Sequence, residues 1–390
     1  MPRRRNLVPA CFLVLAFAGS PAFAADPIFN QGILHETRIV MDPADWSALR
    51  ANFRTNQYYA ANLTIDGETV QQVGIRSRGA GSRSETKPGI KVDFNRYVSG
   101  QEFHGYKSLV VDNLTQDVSM LREPLAFAVF EAMGIASPQI SFTRLTVNDQ
   151  YWGLYTLVED IKKPFLEARY GDDEGYLYEY SHVGNYNLSS RGSDASAYVP
   201  SPFEPETHED NPDPSGLIAF IQAINDTPDA SFLATMQGFM DVDRFLTYVA
   251  TENVLAERDG FVGYDGLNNF FLYQYSTGRF VVIPWDKDNT FTAVSWPILH
   301  RLETNVLTAR LMQSPGPQQT YAAALRRGAG LVSESFLLPR LRAFAAQIRD
   351  AALTDPNKPF TNTEFELGVG GLEGLIIARP GDILAQLPPQ

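Results

Sequence analysis

Alternating apolar and polar residues predict strands in the first half of the chain. The alternation continues on both sides of Asp66-Gly67 and of Asn148-Asp149, and each of these dipeptides favours a tight turn, so each predicts a β-hairpin. In residues 90–94, IKVDF, the alternate apolar side chains share one face of a further strand. The first half, to about residue 165, is therefore predicted to be rich in β-sheet.

Helical spacing of apolar residues becomes dominant later in the chain. Asp42-Pro43 predicts the start of a short helix, and residues 117–135 predict a longer one. Residues 241–256 predict a helix capped by Asp241. A third hairpin is predicted to turn at Thr277-Gly278, and the sequence after it is mostly helical.

These elements predict an α+β fold, sheet-rich up to about residue 165 and mostly helical from there to residue 390. Residues 183–216 contain many Ser, Pro, Asn, Asp and Glu residues and few periodic apolar positions, which predicts a loop-like insertion or a mobile edge. We find no internal repeat or heptad pattern.

The first 24 residues have the layout of a secretory signal peptide. Three arginines precede an apolar segment at residues 7–18, and Ala22-Phe23-Ala24 is a small-x-small cleavage sequence, so we expect cleavage after Ala24. The apolar segment is too short for a membrane anchor. We therefore expect an exported protein, periplasmic or extracellular, with no transmembrane segment in the mature chain. Cys11 would leave with the peptide, so no disulfide is expected.

Net charge excludes two classes of partner. Removal of residues 1–24, which contain three arginines and no acids, would take the formal charge from −13 to −16. Such an acidic chain is a poor partner for nucleic acid or for an anionic membrane surface. The five histidines show no ligand spacing, which argues against a zinc site.

Two acids follow a buried strand in the sequence FVVIPWDKDNTF, residues 280–291. The apolar run stops at Pro284, and Asp286 and Asp288 come next with one residue between them. Carboxylates this close repel each other unless a cation or a proton lies between them, so the pattern indicates a divalent metal site. The same residues also suit a solvated acidic turn, and the local sequence leaves both interpretations open.

A basic, glycine-rich segment lies far from this turn in the sequence. Between residues 74 and 96 it carries Arg76, Arg78, Arg83, Lys87, Lys91 and Arg96 against Glu85 and Asp93. Glycines let backbone N–H groups approach a ligand, and arginine and lysine supply charged donors, so the segment suits phosphate groups. The alternative is a basic hairpin edge that prevents edge-to-edge pairing.

Two further carboxylates are candidates. Asp259 lies in a polar loop after a helix, and Asn268-Asn269 opens the next strand. Phosphoryl-transfer enzymes use a similar order: an Asp, an Asn about ten residues later, a hairpin and a second Asp. The alternative is that Asp259 only helps to form the loop. Glu159 lies near the end of a strand, where it could pair with a lysine of the basic hairpin or face solvent.

Five segments together resemble the spore-coat protein H (CotH) kinase family. They are VGIRSRGAGS…KPGIKVDF, LREPLAFAVFEAMG, VNDQYWGLYTLVEDI, RDGFVG…NNFFLY and GRFVVIPWDKDNTF, and the resemblance covers roughly residues 35 to 388. It implies an atypical protein-kinase fold with an N-lobe at residues 25–165, a C-lobe at 166–390 and an ATP cleft between them.

The resemblance also implies roles for individual residues. Asp259 is similar to the family's catalytic-loop aspartate, Asn269 to the asparagine that opens its N-aromatic-aromatic-Leu-Tyr strand, and Asp286 to its metal-binding aspartate, with Asp288 as the second acid of that turn. Asp259 would then orient or deprotonate the acceptor hydroxyl. Asn269, Asp286 and Asp288 would hold Mg²⁺.

The lysine that contacts phosphate is less well defined. The loop RGAGSRSETKP departs from the compact Ser-Ser and paired lysines that are commoner in the family. Strand alternation favours Lys91, with Lys87 as the alternative, and Arg78 is expected to neutralise phosphate. Because a partly buried lysine needs a partner, we expect Lys91 to pair with Glu159 or Glu123.

The resulting hypothesis is phosphoryl transfer from ATP, with Mg²⁺, to Ser or Thr hydroxyls of a protein substrate outside the cytoplasm. The basic hairpin and the acidic turn are then expected to face each other across one cleft. One rival is a non-catalytic envelope binding or assembly protein that retains the fold. Another is a carbohydrate hydrolase that uses Asp259 with Asp286 or Asp288, but it gives the basic hairpin no role.

Overall fold

The computed structural model describes residues 26–264 and 266–388, and combines helices with two β-sheets. The predicted α+β class is confirmed. The predicted signal peptide lies outside the described residues. Within the described ranges, every helix is too short or too polar to cross a bilayer.

Seven strands close into a barrel in the order β1-β2-β3-β4-β5-β7-β6. The strands are β1 (His35–Met41), β2 (Tyr59–Ile65), β3 (Glu68–Arg78), β4 (Gly89–Asp93), β5 (Ser108–Asp112), β6 (Ile140–Val147) and β7 (Gln150–Glu159). Neighbouring strands are antiparallel except β1 and β6, which run parallel and close the barrel. Closure leaves none of these strands with an unpaired edge.

The barrel has the turns and faces that the alternation predicts. The hairpins β2–β3 and β6–β7 turn at Asp66-Gly67 and Asn148-Asp149, and all four residues have positive φ, as a tight hairpin turn requires. Ile90 and Val92 are fully buried in the barrel's apolar cluster, whereas Lys91 between them is only partly buried. The predicted faces of this strand are confirmed.

A second sheet has the strand order β11-β10-β8-β9 and is antiparallel throughout. Its strands are β8 (Tyr176–Tyr180), β9 (Phe203–Pro205), β10 (Phe270–Gln274) and β11 (Phe280–Pro284). The β10–β11 connection contains Thr277 and Gly278, which confirms the third predicted hairpin. Val110 and Val158 of the barrel pack with Phe271 and Ile283 of this sheet in one buried cluster.

The loop predicted for residues 183–216 is wrong in part. Most of it is irregular, but it contributes β9 to the second sheet, and Tyr198 and Phe203 are fully buried there. A few apolar residues thus anchor the segment although it lacks periodicity. These residues are packed into the fold, whereas residues 189–196 are exposed.

Ten α-helices surround the sheets in the described ranges. They are α1 (Pro43–Ala51), α2 (Arg122–Ala132), α3 (Lys163–Tyr170), α4 (Ser215–Asp226), α5 (Asp229–Phe239), α6 (Val242–Val254), α7 (Val306–Leu311), α8 (Pro315–Leu331), α9 (Leu337–Leu353) and α10 (Asn362–Gln386). Asp42 and Asp241 cap α1 and α6 with their side chains, as predicted. Helix α6 packs against α8 and leads directly into the loop that contains Asp259.

Candidate active site

Asn269 and Asp286 emerge at the same edge of the second sheet. Strand β10 begins at Phe270, which pairs with Pro284, the last residue of β11. The backbone N–H of Trp285 donates to the carbonyl of Asn269 at 3.3 Å. Asn269 lies just before β10, and Asp286 lies just after β11. The antiparallel pairing of the two strands therefore brings these residues together although they are seventeen positions apart.

The backbone at this edge is unusual. Asn269 and Asp286 have φ of 52° and 51°, and Ala256, at the start of the Asp259 loop, has φ of 51°. Non-glycine residues rarely adopt this left-handed conformation, and such residues concentrate at functional sites. Asn and Asp tolerate it best, which gives a local reason for these residue types at the two strand ends.

Asp259 lies beside Asn269. The side-chain amide of Asn268 donates to Asp259 Oδ1 at 2.9 Å, and that of Asn269 donates to Oδ2 at 3.3 Å. Both carboxylate oxygens are thereby oriented by the residues that open β10. The structure thus brings together three of the residues singled out in the sequence: Asp259, Asn269 and Asp286.

Arg78, at the end of β3, reaches the acidic turn from the barrel. Its side chain is only 14% exposed, its Nη1 lies 3.2 Å from Asp112 Oδ2, and its guanidinium carbon lies 5.4 Å from the Trp285 ring centroid. Burial raises the pKa of Asp286 to about 6, and the positive charge of Arg78 opposes this shift. The expected juxtaposition of the basic hairpin and the acidic turn is therefore observed for Arg78.

Asp286 belongs to an acidic cluster with Asp288 and Glu123, which lies on α2. Burial raises the pKa of Asp288 well above its usual range, and the charges of Asp286 and Glu123 add to the shift. Burial also raises the pKa of Glu123 well above its usual range, and Asp112 and Asp286 reinforce it. Mutual repulsion of this kind would be relieved by a cation.

The acidic turn offers oxygen donors of the type that Mg²⁺ takes but does not form a complete metal cage. In the part of the chain that the structure describes, no three His, Cys, Asp or Glu side chains converge to hold a metal ion by themselves. Mg²⁺ bound together with phosphates needs only one or two protein carboxylates besides the phosphate oxygens and water. Asp286, Asp288 and the amide oxygen of Asn269 are hard oxygen donors of the required type.

A buried ion pair, Glu252 with Lys287, contacts the backbone of the site. It was not predicted from the sequence. Lys287 Nζ lies 2.9 Å from Glu252 Oε1 and donates to the carbonyl of Asn269 at 3.0 Å. Glu252, near the end of α6, also accepts the backbone N–H groups of Phe261 and Val262. The pair therefore fixes both the Asp259 loop and the start of β10. A lysine between two acids after a buried strand is the signal that could have revealed it.

Lys91 on β4 has a different partner from either predicted one. Its ammonium pairs with Asp160, which also accepts from the hydroxyl of Ser108. The prediction of Glu159 or Glu123 is wrong. Successive residues of an extended chain point in opposite directions, so Asp160 and not its neighbour Glu159 lies on the side of Lys91.

Glu159 is placed elsewhere. Its side chain is 3% exposed, and its Oε2 accepts from the backbone N–H of Gln139 at 2.9 Å and lies 3.3 Å from Arg169 Nη2. Burial raises its pKa, and Arg169 opposes the shift. The structure does not bring Glu159 against Lys91.

Lys87 forms an ion pair away from the acidic turn. Its side chain is 1% exposed, and its Nζ lies 2.7 Å from Asp355 Oδ2 and donates to the carbonyl of Leu154 at 2.8 Å. Asp355 follows α9, so this pair ties the barrel to the C-terminal helices. Between the two candidates for a phosphate-binding lysine, the geometry favours Lys91.

The sequence profile of a family described as "CotH kinase protein" matches residues 75–380. Inner spore coat protein H of Bacillus subtilis is 25% identical over 340 residues, which cover 84% of this chain and 91% of that protein. Invasin CotH3 of Rhizopus delemar is 24% identical over 237 residues, which cover 57% of this chain and 38% of that protein.

One solved structure is also similar. It is the Shewanella oneidensis MR-1 toxin–antitoxin complex of HipA, HipB and operator DNA, with 11% identity and a TM-score of 0.39. The alignment covers 97% of this chain and 68% of that chain. A TM-score of this size does not establish a shared fold.

Proposed function

Because the chain belongs to the CotH kinase protein family, we propose that it is an atypical protein kinase that uses ATP and Mg²⁺ to phosphorylate Ser or Thr hydroxyls of a protein. The observation that carries this proposal is the convergence of Asp259, Asn269 and Asp286 at one sheet edge, opposite Arg78. Phosphoryl transfer needs a carboxylate that orients the acceptor hydroxyl, groups that hold the metal ion and a cation that neutralises phosphate.

Each residue has a role in this proposal. Asp286 and Asn269, assisted by Asp288, would hold the metal ion, which supplies charge neutralisation at the phosphate oxygens. Arg78 would neutralise phosphate from the barrel side. Asp259 would orient the acceptor hydroxyl and take its proton as the oxygen attacks phosphorus.

Lys91 completes the phosphate side. Its ion pair with Asp160 holds the ammonium near the second sheet, where its charge acts on Glu179 of β8 and opposes the rise in pKa that burial causes there. The carboxylate favours the protonated form of the lysine, so the ammonium can contact phosphate oxygens while it stays charged. Lys91 is accordingly the lysine to which we assign phosphate contact.

The proposed architecture has two lobes, residues 25–165 and 166–390, with the nucleotide between them. The shared apolar cluster of Val110, Val158, Phe271 and Ile283 supports a fixed arrangement of the barrel against the second sheet. We propose further that the protein is exported, on the basis of residues 1–24.

A non-catalytic binding or assembly role is the second candidate. It is favoured by the names of the two relatives, a spore coat protein and an invasin. In that case the acidic cluster would be a remnant of the family's site. The basic and acidic sides would then bind no nucleotide.

Transfer of label separates the two candidates. The purified chain is incubated with γ-labelled ATP, Mg²⁺ and an envelope protein extract, beside an Asp259→Asn variant at equal concentration. A kinase labels one or more proteins in the extract, and the variant does not. Absence of label with the native chain, or equal label with the variant, would favour the binding role.

A further inference from the structure

A cavity of about 280 Å³ lies away from the candidate active site, between α6 and the edge strand β11. Its wall includes Arg244, Tyr248, Tyr275, Arg279 and Phe280. Ligand pockets usually have an apolar lining with a few convergent polar groups, and this volume is near the lower limit for them. The cavity therefore suits a small ligand with one ring or a comparable apolar body.

Two arginines give the cavity its charge. Within residues 26–264 and 266–388, neither Arg244 nor Arg279 forms an ion pair. Arg279 is exposed, whereas the guanidinium carbon of Arg244 lies 5.4 Å from the Tyr170 ring centroid and its Nε is buried without a hydrogen-bond partner. Burial raises the pKa of Tyr275, both guanidinium groups oppose this shift, and the charges of Asp172 and Asp241 add to it, so the two arginines and the two acids all lie near the same hydroxyl. Two guanidinium groups with free N–H donors near one hydroxyl can give charge-assisted hydrogen bonds to a phosphate group.

The acids near this cavity have other partners. Asp241 caps α6 by accepting from the backbone N–H of Arg244 at 3.0 Å. Asp172 accepts from the hydroxyls of Tyr273 and Ser276 at 2.7 and 2.6 Å. None of these hydrogen bonds uses a guanidinium N–H, so the donors of Arg244 and Arg279 remain available to an anion.

One face of α6 connects the cavity with the candidate active site. Arg244, Tyr248 and Glu252 are four residues apart and lie on successive turns of the same face. The hydroxyl of Tyr248 donates to Glu252 Oε1 at 2.9 Å. Glu252 in turn holds the backbone of Phe261 and the ammonium of Lys287. A ligand that contacts Tyr248 is thus two hydrogen bonds away from the Asp259 loop.

We propose that this cavity binds a small phosphate monoester with an apolar or aromatic body, and that the bound ester changes the order of the loop at residues 257–262. The binding itself is independent of the kinase activity proposed above. The regulatory consequence rests on it, because that activity assigns Asp259 to the acceptor hydroxyl.

Calorimetric titration with phenyl phosphate tests the binding. Phenol and inorganic phosphate, the two parts of that ester, are titrated separately for comparison. We expect phenyl phosphate to bind more tightly than either part. Arg244→Gln and Arg279→Gln should each weaken it by about tenfold or more, since each removes one charge-assisted donor. Arg340→Gln, an exposed arginine that stacks on Phe336, is the control and should change nothing. No binding by the native chain, or unchanged affinity in both cavity variants, overturns the proposal.

A short peptide with a central phosphotyrosine identifies the source of the ester. Affinity equal to that of phenyl phosphate assigns the site to a phosphorylated side chain. Binding of phenyl phosphate without binding of the peptide assigns it to a free ester. Both results support the site.

Hydrogen exchange tests the connection to the active site. Saturating phenyl phosphate should change exchange at the amides of Phe261 and Val262 in the native chain. Tyr248→Phe should still bind the ester but lose this effect. Unchanged exchange in the native chain overturns the connection. An Asp286→Asn variant should bind phenyl phosphate normally even where it no longer binds Mg–ATP, so failure of one proposal is distinguishable from failure of the other.

Discussion

The side-chain amide of Asn269 donates to the carboxylate of Asp259 at 3.3 Å. This contact joins the residue proposed to act on the acceptor to a residue proposed to hold the metal. Asn269 opens β10, and its carbonyl is held by Lys287. A displacement of either the Asp259 loop or β10 would therefore disturb both halves of the proposed chemistry at once.

Removal of one partner from the Glu252–Lys287 pair should be costly. Glu252→Gln removes the nearest carboxylate from the buried Lys287 ammonium and leaves only Glu257, at 3.9 Å; loss of one partner of a buried pair costs about 3–5 kcal/mol. We expect a lower free energy of unfolding in urea and faster hydrogen exchange in residues 257–262. The double variant Glu252→Gln with Lys287→Met should recover part of the stability. A double variant that is less stable than both single variants would contradict this account of the pair.

Substitution of Lys87 and of Lys91 should affect stability and nucleotide affinity differently. Lys87→Met strands the buried carboxylate of Asp355, so it should lower stability by roughly 3–5 kcal/mol while the folded fraction keeps its nucleotide affinity. Lys91→Met should weaken nucleotide binding and lower stability less than Lys87→Met, because buried Asp160 keeps the Ser108 hydroxyl and the nearby charge of Lys162. Urea unfolding and nucleotide titration of both variants measure the difference. A stable Lys87→Met protein that has lost nucleotide affinity would reverse the assignment.

Gly153 should tolerate no side chain. Its φ is 126°, and a Cβ atom would lie 2.3 Å from Asp355 Oδ1. Gly153→Ala should displace Asp355 from Lys87 and cost at least about 2 kcal/mol. Gly374→Ala is the matched control, because it lies in α10 with no atom near its Cβ position and should stabilise by roughly 0.5–1 kcal/mol. Equal thermal melting of the two variants would contradict the prediction.

The acidic cluster should make the metal-free protein less stable as pH rises. The pKa of Asp286 is about 6 in the fold against 3.8 ordinarily, so between these values the folded state binds more protons than the unfolded state. Stability must then fall as pH rises through this window. Asp286→Asn should remove that loss and be more stable than the native chain at pH 7 by roughly 1–3 kcal/mol without Mg²⁺. Urea unfolding at pH 4.5 and 7 tests this; a variant less stable than the native chain at pH 7 would count against it.

Local features of the fold were predictable from the sequence, whereas the closure of the barrel was not. The turns at Asp66-Gly67 and Asn148-Asp149 follow from residue types that adopt positive φ. The parallel pairing of β1 with β6 joins Ile39 to Val147, which are more than a hundred residues apart, and no local periodicity encodes it. β9 was missed for a similar reason, because a three-residue strand has no measurable alternation.

The same distinction applies to the candidate site. Asp259, Asn269 and Asp286 were found because their order along the chain and their resemblance to a family are visible in the sequence. Neither predicted partner of Lys91, Glu159 or Glu123, is the observed one; Glu159 lies one position from Asp160, and the direction of a side chain at a strand end is set by tertiary contacts. Lys287 was overlooked because its burial depends on Glu252, thirty-five residues earlier.

Calorimetric titration with ATP, with and without Mg²⁺, tests the central assignment most directly when the native chain is compared with Asp286→Asn and Asp259→Asn. Asn keeps the shape of each side chain but removes the charge on which a hard cation depends. The account predicts that the native chain and Asp259→Asn bind Mg–ATP, that Asp286→Asn does not, and that only the native chain transfers phosphate. Equal loss of binding in both variants would contradict the division of roles, and equal binding by all three proteins would contradict the metal site itself.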